Sequence, residues 1–63
     1  MVYENVSRIA KEKGYSLRYI EQNADISLGC ISKWKNSIPT ADKLTRVAKV
    51  LEVSVEELLE GVV

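Results

Sequence analysis

Sixty-three residues with zero net charge, one cysteine (Cys30) and no histidine make one small domain, residues 1–63. They exclude an intrachain disulfide and a cysteine- or histidine-built zinc site. No apolar run approaches the ~20 residues of a membrane span, and Met1-Val2-Tyr3-Glu4-Asn5 lacks the basic-then-apolar order of a signal peptide, so a cytoplasmic location is expected.

The spacing of Val2 or Tyr3, Val6, Ile9 and Ala10 predicts an amphipathic helix over residues 2–13. Gly14 ends it, because glycine accepts the left-handed conformation that closes a helix. Ser16 stands at an N-cap position, and Leu17–Ala24 reads as a short second helix with Leu17, Ile20 and Ala24 facing inward. Asp25-Ile26 leaves room only for a tight turn, and aspartate tolerates the positive φ such a turn demands. Ser27 then reads as the cap of a third helix over 27–36, with Ile31 and Trp34 inward and Cys30 at the margin. Gly29 inside that helix costs about 1 kcal/mol against alanine.

Asn36-Ser37-Ile38-Pro39 is a connector broken by the single proline. Thr40 caps the next helix, whose Leu44, Val47, Ala48 and Leu51 fall at i, i+3, i+4 and i+7. Ser54 and Glu57 have the spacing of a capping box, which starts a last helix through Leu58 and Leu59; Gly61 ends it. There is no strand alternation, so the expectation is all-α with five helices. A core of this size rarely supplies more than about 3–5 kcal/mol, which leaves self-association as an added source of stability. Leu59, Val62 and Val63 at the end of the chain are the expected surface for a homodimer.

Charge is unevenly spread. Residues 1–49 hold all nine Lys/Arg against five acids, a net +4, and residues 50–63 hold four acids and no base, a net −4. Such polarity can turn one positive face toward phosphates; it also describes an ordinary solvated surface with an acidic tail. No enzyme is expected, since there is no histidine, glycine-rich phosphate loop or evident carboxylate pair. No cofactor or metal is expected either.

Two short helices joined by a tight turn can cross at a wide angle, the first lying over a DNA backbone and the second entering the major groove. Ser16-Leu17-Arg18-Tyr19-Ile20-Glu21, Asp25-Ile26-Ser27, Ile31-Ser32-Lys33-Trp34-Lys35-Asn36 and Pro39 together resemble the phage-repressor (Cro/XRE-type) helix-turn-helix family. Leu44, Val47-Ala48 and the run from Leu51 to Leu59 resemble that family's two closing helices, so the likeness covers nearly the whole chain. The resemblance implies a compact five-helix, lambda-repressor-like fold with helices 2 and 3 as the helix-turn-helix. It implies sequence-specific binding of double-stranded DNA by a homodimer at an operator, usually for repression of transcription.

Carried over by position, Ser27, Leu28, Gly29 and Lys33 fall where the family touches bases, with Ser32 beside them. Ser16, Arg18, Lys35, Asn36 and Lys43 fall near phosphate-contacting positions. The chain departs from the pattern at Leu17, where glutamine is common, at Glu21, where a small residue is usual, and at Asp25, which replaces the turn glycine. Leu28 and Gly29 bring no side-chain hydrogen bond to two readout positions. A carboxylate at 21 must be exposed or paired, because burying it alone is costly.

The residues also admit a protein-interaction module on the same scaffold, antitoxin-like or antirepressor-like, which the apolar Leu28 and small Gly29 suit. Trp34 reads as a core anchor and Cys30 as a buried thiol. Tyr15 and Tyr19 either pack or offer a hydroxyl to a phosphate.

Overall fold

In the computed structural model, which describes residues 1–62, helix α1 runs Val2–Lys13 and buries Val2, Val6, Ile9 and Ala10. Gly14 closes it at φ 76°, its N–H directed at the carbonyls of Ala10 and Lys11. Helix α2, Leu17–Asn23, begins where the Ser16 hydroxyl accepts the Tyr19 N–H at 3.0 Å. Helix α3, Ala41–Leu51, is capped in the same way by Thr40, which accepts from the Lys43 N–H. Its stripe of Leu44, Val47, Ala48 and Leu51 is buried throughout. Helix α4, Val55–Leu59, is capped by Ser54 through the Glu57 N–H and buries Leu58.

The described residues thus form four α-helices, not five. The segment 27–36, expected as a third α-helix with Ser27 as its cap, has a different shape. Ser27–Cys30 is a tight turn closed by the Cys30 N–H on the Ser27 carbonyl (3.1 Å), and Ile31–Lys35 is a single 3₁₀ helix. Gly29 is the reason: at φ 85° it lies outside the helical region and takes the third turn position, where a type II turn requires positive φ. Ile31 and Trp34 are buried nonetheless. Residues three apart share a face in a 3₁₀ helix as they do in an α-helix.

α1 packs against the 3₁₀ helix and α4, α2 mainly against α3, and α3 against α4 and α1. Ile20, Ile31, Val47, Leu51 and Leu58 are fully enclosed at the centre. A polar tie closes the ends: Asn5 Nδ2 donates to the Leu58 and Glu60 carbonyls at 2.8 and 2.7 Å. These are carbonyls that a helix C-terminus leaves without an internal partner. Val62 packs against the core and Leu59 is 36% exposed, while Val63 lies outside the described residues. Among the described residues, no helix is long and apolar enough to cross a membrane.

Candidate nucleic-acid interface

α2 ends in a turn that needs one left-handed residue, and Asp25 supplies it at φ 58°. The Ile26 N–H returns to the Glu21 carbonyl at 3.0 Å, which leaves little freedom between α2 and the Ser27–Cys30 turn. Arg46 on α3 braces the end of α2. It donates to the Asp25 carbonyl (3.3 Å), lies 3.8 Å from the Asp25 carboxylate, and pairs with Asp42 at 3.2 Å. These pairs are largely exposed, so their value is geometric more than energetic.

Glu21 is 4% exposed, and its partners are backbone N–H groups, not a cation. Oε1 accepts from Gly29 N–H and Oε2 from Ile31 N–H, each at 3.0 Å. A buried carboxylate is tolerable when charge-assisted hydrogen bonds of this kind replace its water. Glu21 therefore does the capping expected of Ser27. Cys30, the residue before the 3₁₀ helix, makes no side-chain cap bond.

Ser27, Leu28, Gly29, Ser32 and Lys33, the expected base-contacting set, are all exposed, opposite the buried Ile31 and Trp34. Of the expected phosphate set, Arg18, Lys35 and Asn36 lie on the surface. A cleft of about 210 Å³ opens between the 3₁₀ helix, the connector and the start of α3. Its walls include Ser27, Lys33, Ser37, Thr40 and Lys43, and its apolar lining includes Trp34, Cys30 and Pro39. Two ammonium groups and the hydroxyls of Ser27 and Thr40 thus line one concave surface, a donor set suited to phosphate oxygens, while the Ser37 hydroxyl is already spent on the Lys33 carbonyl at 2.9 Å.

Lys35 is turned elsewhere. Its Nζ sits 4.9 Å over the Tyr3 ring, against α1. The Glu4 carboxyl nearby is held below its ordinary range, first by its bond to the N-terminal ammonium at 2.8 Å and in smaller part by the Lys35 charge. Ser16 has its hydroxyl engaged as the α2 cap. The Tyr15 and Tyr19 rings pack together at 4.8 Å with a 34° tilt, which settles packing as one role of the pair.

Three residues that shape this surface or the body behind it were absent from the sequence-based set. Arg46 signals only its Asp42 partner, four residues earlier on the same helix. Ile38, 66% exposed at the cleft edge, gives no signal beyond its place next to proline. Asn5, far from the cleft, ties α1 to α4 through backbone carbonyls that leave no trace in side-chain spacing. Among the described residues, no three potential metal-ligating side chains come together.

In comparison with known proteins, residues 6–58 match the helix-turn-helix family. Neither a curated protein nor a solved structure matches the chain.

Proposed function

The chain belongs to the phage-repressor (Cro/XRE-type) helix-turn-helix family, a family of DNA-binding domains, and from that premise we propose that it binds operator sites in double-stranded DNA and represses transcription. Residues 27–36 enter the major groove. The observation that carries this reading is the split of that segment: Ile31 and Trp34 anchor it in the core while Ser27, Leu28, Gly29, Ser32 and Lys33 are left free on the opposite side.

Lys33, beside the turn, reads at or near base edges. Arg18 and Lys43 hold phosphates, with Ser16, Asn36 and Lys35 in weaker supporting positions. The domain works without catalysis or cofactor, in the cytoplasm, where its DNA is.

Binding is by a homodimer. Successive turns of duplex present the same groove about 34 Å apart, and the longest dimension of one copy is 27 Å, so two grooves on one face call for two copies. Leu59, exposed at the end of α4, is one apolar residue available to such a contact. Sedimentation on and off a two-site duplex should find two copies bound; a monomer under both conditions would contradict this.

A second reading, a protein-interaction module, draws on Leu28 and Ile38, 59% and 66% exposed beside the cleft. Binding to a random-sequence duplex across a range of salt separates the two. Phosphate contact gives a log–log slope of about −0.9 per neutralised phosphate. A flat, weak response would favour the protein partner.

A further inference from the structure

α2 rests mainly on α3, and the 3₁₀ helix rests mainly on α1. Packing therefore fixes each half of the helix-turn-helix to a different neighbour, and beyond the short Asp25-Ile26 turn one further tie joins the halves directly. The Glu21 carboxylate supplies it. It projects from α2, is 4% exposed, and accepts one hydrogen bond from the turn (Gly29 N–H) and one from the first residue of the 3₁₀ helix (Ile31 N–H), both at 3.0 Å. Beside those two amides the backbone holds Gly29 at φ 85° and carries Leu28 outward at the turn.

We propose that Glu21 is a positioning residue for base readout: without touching DNA, it sets the shape of residues 27–31 and so determines which sequence is recognised. This rests on the DNA-binding reading above. The chemistry of the side chain makes the claim specific. A carboxylate accepts at both oxygens, whereas an amide of the same shape accepts at one and presents an N–H₂ at the other. Glu21→Gln therefore keeps the volume but sets a donor against a donor at Gly29 or Ile31. The turn must shift to relieve it. Arg18 and Lys43, carried on α2 and α3, stay where they are. Discrimination should fall while the sequence-independent attraction persists.

The experiment selects a preferred duplex for the wild-type protein from a random pool, then compares affinities for selected and random duplex. Glu21→Gln should lower the selected-to-random ratio by about tenfold, the size of a single mismatched base pair. Affinity for random duplex should change by less than about twofold, with the salt slope intact. A glutamate that merely supports the fold would reduce both affinities in step with the folded fraction, and that result, or an unchanged ratio, overturns the proposal.

Gly29→Ala, which strains the same turn from its other end at φ 85° and keeps the carboxylate, should reproduce the loss of ratio. If Glu21→Gln does not fold, that variant and the wild-type amides decide. Gly29 and Ile31 N–H should exchange with solvent more slowly than their neighbours Ser27 and Leu28; fast exchange at both, or an unchanged ratio in Gly29→Ala, overturns the proposal. A wild-type protein that shows neither a salt slope nor any preferred duplex would instead remove the DNA-binding reading, and this inference with it.

Discussion

Between α1, α3 and α4 the contacts are mainly apolar: Val6, Ile9, Val47, Leu51 and Leu58 meet with almost no surface left to water. From Asp25 to Pro39 the chain is shaped otherwise, by two left-handed residues, a 3₁₀ helix and a carboxylate that answers backbone amides. The first region draws on non-directional burial, in which many side chains of similar volume serve. The second draws on directional bonds and single φ values, in which few substitutions serve. The base-contacting candidates all lie in the second region, so the proposed readout would draw on the part of the molecule with the narrowest chemical tolerance.

The sharpest way to break that comparison is at Trp34, which belongs to both regions. Trp34→Ala should cost about 3–5 kcal/mol, as much as a core of this size supplies, and urea denaturation followed by far-UV circular dichroism should find it largely unfolded. A folded, fully helical variant that only fails to bind DNA would move Trp34 from the core to the interface.

Asn5→Ala tests the apolar body by its polar tie. Losing two hydrogen bonds to Leu58 and Glu60 should cost about 1–3 kcal/mol. The selected-to-random ratio should not change once binding is corrected for the folded fraction.

Gly14 and Gly29 offer a matched pair, both left-handed, at φ 76° and 85°, with open space where a Cβ would sit. Alanine at either should lose about 1–2 kcal/mol from backbone strain, measured by thermal melting. Only Gly29→Ala should also lose sequence discrimination. Equal behaviour of the two variants on DNA would erase the distinction between the regions.

The comparison also shows which parts a sequence discloses. Gly14, Ser16, Thr40 and Ser54 mark their helix ends by local chemistry, and each performs that role. The Leu44–Leu51 stripe announces a buried face by period alone. The third helix cannot be typed this way, because Ile31 and Trp34 are three apart and both helix types bury such a pair. Gly29 is the residue that distinguishes them: inside a helix it is only a small cost, and here it marks a turn.

Glu21 is legible in the sequence as a problem and not as a solution. Its partners are backbone amides eight and ten residues away, and an amide has no residue-type signature. Glu52 likewise takes φ 59° at the end of α3 without a glycine to announce it; its N–H reaches the carbonyls of Ala48 and Lys49. In the candidate site, exposure follows from the opposed pair of anchors. The turning of Lys35 toward Tyr3 does not, since it depends on α1 lying against the 3₁₀ helix.

The smallest expected effects lie among the lysines. Lys43→Ala should leave stability within about 0.5 kcal/mol and make the salt slope shallower by about one unit. Lys35→Ala should change it less, because that ammonium is held over Tyr3. Lys33→Ala should weaken the selected duplex more than the random one; an equal loss would make it a phosphate contact.

Residues 27–36 are proposed to carry the DNA contact. Backbone amide signals of the ¹⁵N-labelled protein, followed while a selected duplex is added, test that assignment most directly. The largest changes should cluster at residues 27–37, with smaller ones at Ser16–Arg18 and Thr40–Lys43 and a separate one at Leu59 where two copies meet, while the outer side of α1 stays quiet. Changes confined to Leu59 and its neighbours, or spread evenly with no maximum at the 3₁₀ helix, would contradict the assignment.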